Sequence, residues 1–308
     1  MNYPCLILFI FLSAATLSYG QEKETQLVTT INTPLNERDF TVSPDGSVVY
    51  FTRSLLDNKT RVILKAKKNG ADYSNIELAS FSGKFNDLEP FFSPDGMRLY
   101  FASNRNAEQT AEKDDYDIWY IERLSNGEWS KALRLPDIIN TEKDEFYPAV
   151  SANGNLYFTG VRENGVGTED IFLSKFVNGE YQLPLPLSES INTKTYEFNA
   201  YVNSTEDLII FSSYGRADDL GGGDLYYSVK DEHGKWKTAI HFGSDINTKS
   251  LDYCPYYHAG SGVLYFTSNI GREKLEIHNV DELDIEILNE LNGFGNIYQI
   301  AFRFEAKN

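Results

Sequence analysis

Cysteine is almost missing from this chain: Cys5 and Cys254 are the two among 308 residues. Cys5 lies within the opening MNYPCLILFIFLSAATLSYG, which has no charged side chain, an apolar run from Cys5 to Leu12, and small residues Ser18 and Gly20 at its end. That run is too short to cross a bilayer, so residues 1–20 read as a secretory signal peptide cut before Gln21. Cys254 is then the lone thiol of the mature chain. No internal disulfide can form even in an oxidising compartment, periplasmic or secreted, and the fold has to hold by packing. No transmembrane segment is expected in the mature chain. Positive charge is also short, with 28 Lys and Arg against 45 Asp and Glu, a net charge of −17. Such a surface repels phosphate backbones, which excludes nucleic acid as a partner class, and its acidity serves solubility. The four histidines, His233, His241, His258 and His278, have no metal-like spacing. There is no Gly-x-Ser-x-Gly elbow and no HExxH helix, so two common hydrolase classes drop out.

Aromatic residues are plentiful, with twenty Tyr and twenty Phe, and they fall in a repeat. The stretch FSPDGMRLYFASNR at 92–105 returns as FTVSPDGSVVYFTR from Phe40, PAVSANGNLYFTGVR from Pro148, AYVNSTEDLIIFSSYGR from Ala200 and PYYHAGSGVLYFTSNIGR from Pro255. A second apolar strand follows each copy: RVILKA, DIWYIE, DIFLSK, DLYYSV and NIYQIA. Next come Gly turns with an aromatic (NGADYS, NGEWS, NGEYQ, HGKWK), then a last strand expected to end in Ile-Asn-Thr at 139–141, 191–193 and 246–248, with Phe81-Ser82 as the degenerate version. Four strands per unit of about fifty residues predict the blades of a β-propeller. The fold expected is therefore all-β, one five-bladed propeller over residues 21–308, with antiparallel blades whose cores begin near 37, 87, 145, 197 and 252. The fifth unit lacks its last strand, whereas QLVTTINT at 26–33 reads as one. The N-terminal strand is thus expected to complete the last blade and close the ring.

The runs SPDG-x-x-LYF-x-S-x-R and D-I-W/F-Y resemble the WD-repeat-like propeller units of the TolB-like family. INTEKDEFYPAVSANGNLYFTG and GGGDLYYS resemble the version found in exported proteins of Bacteroidetes-type bacteria. The resemblance spans nearly all of residues 26–308 and implies a propeller. It does not imply one activity, because propellers host enzymes, receptors and scaffolds alike. Five units instead of the six of TolB itself leave TolB's own partners uncarried.

One acidic column stands five residues after the Asn, or its stand-in, of each Ile-Asn-Thr: Glu37, Asp87, Glu145, Glu197 and Asp252. An Arg closes each second strand: Arg53, Arg105, Arg162, Arg216 and Arg272. A carboxylate ring at a channel mouth is a candidate ligand site, since like charges focused in a cleft reinforce one another. One acid and one Arg per blade point more strongly to a repeated bidentate pair that fixes loops. Carboxylates that break the repeat are better candidates for acid–base chemistry, and Asp39, Glu89 and Asp144 fit loosely. Asp218, Asp219 and Asp224, gathered in ADDLGGGD, are candidate oxygen ligands for Ca²⁺, although capping of local turns is the commoner role for such residues. Apart from that ion no cofactor is expected, and no catalytic residue is assigned. Residues 272–295 form an insertion with a short helix or hairpin, a usual place for function in repeat folds. The expected role is binding of a protein or glycan ligand without turnover. A carbohydrate-active hydrolase or lyase using channel-mouth carboxylates is the alternative.

Overall fold

The computed structural model describes residues 24–271 and 276–304. The leader and Arg272 lie outside the described residues. Strand β1 (Gln26–Leu27) precedes a first sheet of β2 (Asn36–Val42), β3 (Val48–Ser54), β4 (Arg61–Asn69) and β5 (Asp72–Leu78). The second sheet holds β6 (Asp87–Phe92), β7 (Arg98–Arg105), β8 (Glu112–Glu122) and β9 (Leu133–Arg134). The third holds β10 (Glu145–Val150), β11 (Leu156–Gly160) and β12 (Asp170–Ser174); a small hairpin of β13 (Phe176–Val177) and β14 (Glu180–Tyr181) leads to its outer strand β15 (Leu185–Pro186). The fourth comprises β16 (Tyr196–Val202), β17 (Leu208–Tyr214), β18 (Asp224–Val229) and β19 (Ile240–His241). The last is β20 (Asp252–His258), β21 (Val263–Ser268), helix α1 (Val280–Ile287) in the connection, and β22 (Asn296–Ala301). Each blade is a four-stranded antiparallel sheet, and β1 supplies the outer strand of the fifth through Gln26↔Gln299 and Leu27↔Tyr298. This is a five-bladed β-propeller.

The local chemistry explains the repeat. In the second blade Ser93 Oγ donates to Asp95 Oδ1 (2.6 Å), the Met97 and Arg98 N–H groups donate to Asp95 and Ser93, and Gly96 takes φ +69°. These bonds satisfy the turn before the strand begins. The fourth blade lacks this turn motif yet keeps its strands, because Asn203 Oδ1 accepts the Asp207 and Leu208 N–H groups instead. Second strands then bury one phenylalanine per blade, Phe51, Phe101, Phe158, Phe211 and Phe266. Each contributes about 2–3 kcal/mol of burial at most.

Ile-Asn-Thr does not end the outer strand as the sequence suggests. The outer strands stop short and the triplet lies in the turn that follows. There the chain must leave the sheet for the next blade, and the Asn side chain replaces the strand pairing that is lost. Asn140 Oδ1 accepts the Ile118 N–H (2.8 Å) while its Nδ2 donates to the carbonyls of Ile118 and Leu135. Asn32, Asn192 and Asn247 do the same against Ile297, Ile171 and Leu225. In the first blade Ser82 accepts the Ile63 N–H. Aromatics of the outer hairpins tie adjacent blades: Trp129 Nε1 donates to the Tyr50 hydroxyl (3.0 Å), and Tyr73 pairs with Tyr265 across the first and fifth blades.

Candidate functional site

The acidic column and the arginines meet at the start of the innermost strands. Arg53 donates to Glu37 (2.6 Å) and to the Ile31 carbonyl; Arg105 donates to Asp87 (2.5 Å) and the Phe81 carbonyl. Arg162 reaches Glu145 and the Ile139 carbonyl, and Arg216 reaches Glu197 and the Ile191 carbonyl. Each Arg thus bridges its blade's acid and the turn that delivers the chain to that blade. The acids also accept from the turn Thr, as Thr141 N–H and Oγ1 do to Glu145. Asp252 accepts the Thr248 N–H. Burial pushes Glu37 and Asp87 up, Asp252 to about 6 and Glu145 to about 7, against the pull of these donors. All five carboxylates are sealed in the wall and present no open ring of charge.

The three candidate calcium ligands do not converge. Asp218 and Asp219 share the Tyr226 hydroxyl, each at 2.8 Å, while Asp224 accepts the Leu220 N–H and pairs with His241 Nε2 (2.8 Å). Local bonds engage both oxygens of Asp219 and one each of Asp218 and Asp224. Among the described residues, no group of three or more His, Cys, Asp or Glu side chains is placed to hold a metal ion. Asp117 differs from its repeat mates, since Arg134 and Lys113 hold it, whereas Asp170 accepts the Val166 and Gly167 N–H groups.

The repeat breaks two residues after the acidic column. Every innermost strand carries a β-bulge there, and its middle residue is left-handed: Asp39 (φ 61°), Glu89 (61°), Tyr147 (52°), Asn199 (54°) and Cys254 (53°). Left-handed backbone at a non-glycine costs roughly 1 kcal/mol. The bulge turns the N–H out of the ladder, so each needs an acceptor from a neighbouring blade. Glu89 N–H finds Asp39 Oδ2 (3.3 Å) and Thr52 Oγ1 (3.1 Å); Tyr147 N–H finds Glu89 Oε2 (2.6 Å); Asn199 N–H finds Thr159 Oγ1 (3.1 Å). The Cys254 thiol donates to Asp39 Oδ1 (2.8 Å), linking fifth blade to first.

Arg38 holds this group together. Its Nε donates to Asp39 (2.8 Å), its Nη2 to Glu89 (2.7 Å), and its guanidinium sits 5.7 Å from the Tyr253 ring centre. Burial, reinforced by Asp39 and opposed by Arg38, lifts Glu89 to about 8. Burial also raises the Cys254 thiol and the Tyr147 hydroxyl well above their usual values. The axial site is consequently lopsided: the first two blades give Arg38, Asp39 and Glu89, whereas the others give Phe146, Tyr147, Phe198 and Tyr253. Phe146 and Phe198 are half-buried, and Tyr116 packs on Phe146 with ring centres 5.2 Å apart. Asp144 stands at the rim, accepting the Tyr116 N–H, and burial raises it. Nearby Glu169 is raised to about 7 by burial and by the charges of Asp144 and Asp170.

The sequence singles out Asp39 and Glu89, and marks Cys254 only as the lone thiol of the mature chain, but Arg38 was passed over. Its signal was available: Arg38 is the one charged member of the column Arg38, Leu88, Phe146, Phe198, Tyr253. The insertion does form a short helix on this same loop face. Its far end is anchored to the first blade, where Asn292 donates to the Pro34 carbonyl and Gly295 N–H to Asn36 Oδ1. Among the described residues no helix is long and apolar enough to cross a membrane.

No family model and no curated protein sequence matches this chain. Solved structures do. A complex of BT0996 and RGII is 12% identical, with 93% of each protein covered and a TM-score of 0.57. The α-L-arabinofuranosidase PaAbf62A from Podospora anserina, in complex with cellotriose, is 11% identical over 87% of this chain and 91% of its own, TM-score 0.52. A TolB from Agrobacterium tumefaciens is 14% identical over 79% and 76%, TM-score 0.49. At these identities the likeness is one of fold.

Proposed function

We propose that this is an exported binding protein that holds a glycan over the axial site of the loop face without turning it over. The observation that carries the reading is the burial of Asp39 and Glu89, two of the three off-repeat acids, with only Asp144 exposed at the rim. Asp39 and Glu89 are 1% and 4% exposed, with oxygens committed to Arg38, Cys254 and backbone N–H groups. A glycosidase must bring two carboxyl groups against the scissile bond. Here the accessible chemistry is instead the outer edge of Arg38, with 22% of its side chain exposed, beside the half-buried Phe146, Phe198 and Tyr116. Few polar groups facing aromatic surface suit a sugar, whose hydroxyls need donors and whose C–H faces stack on rings. Two of the similar folds are carbohydrate complexes, which favours a glycan over a protein ligand.

A hydrolase or lyase is the second reading, and Glu89 is what favours it. Burial raises Glu89 to about 8, which favours its acid form at neutral pH, the state required of a general acid. A glycan array probed with the mature chain, followed by incubation of each hit and mass analysis of the sugar, tests both. Binding that weakens in Phe146→Ala and leaves the sugar intact supports the binding role. Conversion of a hit establishes the second reading, and an array without hits removes both.

A further inference from the structure

The connection between β21 and β22 departs from the repeat in its length and in what it exposes. The equivalent connections of the other blades run over residues 55–60, 106–111, 161–169 and 215–223, whereas this one runs over 269–295 and contains α1. After the helix the chain is pinned. Leu291 packs against the core, Asn296 Nδ2 donates to the Glu290 carbonyl (2.7 Å), and Asn292 and Gly295 bond to Pro34 and Asn36 at the entry to the first blade. Helix α1 itself buries none of its residues.

The helix is properly started yet turned outward. Asn279 accepts the Glu282 N–H (2.9 Å) and Glu282 accepts the His278 N–H (2.8 Å), so side chains satisfy both ends of the entry turn. Its apolar side chains are the ones left in water: Val280, Ile285, Ile287 and Leu288 are between 59% and 72% exposed, and Leu283 is also exposed. Val280, Leu283 and Ile287 recur at i, i+3 and i+7, which places them along one side. The half-buried members are Glu282 and Glu286. A helix that served only this fold would lay its apolar stripe on the core and turn its acids to solvent. Packing within the chain therefore does not account for the stripe.

The charge around the stripe selects its occupant. Residues 276–295 hold six acids and no Lys or Arg. Asp281 and Asp284 are exposed and have no ion pair among the described residues. Asp284 shares the i, i+4, i+8 row with Val280 and Leu288, so carboxylates stand among the apolar side chains. A second copy of the chain would bring like charges together across a two-fold contact. Helices that lie on membranes carry Lys and Arg on their polar side, where this one carries acids. A protein segment with Lys or Arg beside its own apolar side chains meets both requirements. We infer that α1 is a docking helix for a basic amphipathic segment of another protein. The segment covers Leu283 and Ile287 and sets its cations against Asp281 and Asp284.

The test is fluorescence anisotropy of the mature chain with three labelled peptides of equal length: an amphipathic Leu/Lys helix, a Leu/Glu helix of the same spacing, and a Lys/Ser peptide with the charge of the first. The expected result is binding of the Leu/Lys peptide alone. It should weaken at least about tenfold in Leu283→Ser/Ile287→Ser, weaken in Asp281→Asn/Asp284→Asn, and stay unchanged in Leu133→Ser/Ile240→Ser, which removes exposed apolar side chains from outer strands of other blades. Melting curves check that each variant stays folded, and Ile287→Ser alone gives a second reading of the same loss. The proposal is overturned if the Leu/Lys peptide does not bind, if the Lys/Ser or Leu/Glu peptide binds as tightly, or if Leu283→Ser/Ile287→Ser binds like the parent. A dimer in sedimentation, or adhesion to phosphatidylcholine vesicles, that depends on Leu283 and Ile287 also overturns it. The axial site takes no part in these measurements, so this proposal and the glycan reading can fail separately.

Discussion

Arg105→Ala is the sharpest test of the acid and arginine pairs as structural ties. The Arg105 side chain is 3% exposed and its partner Asp87 is fully buried. The guanidinium gives hydrogen bonds to Asp87, Ser103 Oγ and the Phe81 carbonyl, and lies 5.1 to 5.5 Å from the ring centres of Phe85, Phe101 and Trp119. Truncation leaves a carboxylate without its counter-charge inside a dry wall and a carbonyl without its donor. Removing one partner of a buried pair costs about 3–5 kcal/mol. For a domain of this size that corresponds to a fall in Tm on the order of 10 °C. Asp87, already raised by burial, then rises further, so the variant should recover stability as pH falls from 8 towards 5. Urea and thermal unfolding at both pH values measure this, with Asp87→Leu/Arg105→Met as the control that removes both charges. A loss below about 1 kcal/mol, or a double variant as unstable as the single, would refute the reasoning, because the isolated buried charge is the main source of the cost.

Asn140→Ala removes three buried hydrogen bonds and should cost about 2–3 kcal/mol in urea unfolding, with little recovered by Asn140→Asp, which cannot donate to the Ile118 and Leu135 carbonyls. Cys254 should resist a thiol reagent in the native protein and react fully in denaturant, since it is buried, hydrogen-bonded to Asp39 and raised in pKa. Glu89 at about 8, Glu145 and Glu169 at about 7 and Asp252 at about 6 are all raised, so the folded chain keeps protons that the unfolded chain has released. Their contribution is complete below the unfolded carboxyl range and is lost as pH rises through those values. Stability should therefore decline from pH 5 to 8, and Glu89→Gln should flatten the last part of that decline.

The blade architecture was legible because each unit repeats one strand-turn-strand chemistry, and a pattern copied five times averages out local exceptions such as the Asn203 turn. The outer strands were less legible. Ile-Asn-Thr looks like the end of a strand, yet what Asn140 pairs with is set by a strand more than twenty residues earlier, and a side chain imitating a backbone leaves no periodicity to detect. The pairing of Arg53, Arg105, Arg162 and Arg216 with their acids was legible from the counts, since one acid and one Arg per unit suggest a one-to-one partner. The axial site lay at the limit. Asp39, Glu89, Tyr147, Asn199 and Cys254 share no chemistry, and only Asp and Asn among them favour left-handed backbone, so their common position is visible only once the bulges are seen.

That lack of common chemistry has a physical cause that bears on function. Five blades bring five bulge residues to one axis, and a strict repeat would place five copies of one side chain there. Five carboxylates would repel one another in a desolvated space; five tyrosines would exceed the room. The repeat therefore has to break at the axis whatever the protein does, and two acids joined by one Arg and capped by one thiol are a closed solution to that packing problem. Asymmetry at the axis consequently says little about catalysis. The rim is different. Nothing in the blade geometry obliges Phe146 and Phe198 to remain half-exposed beside Arg38. Departures from the repeat that packing does not demand are the ones to which binding is reasonably ascribed.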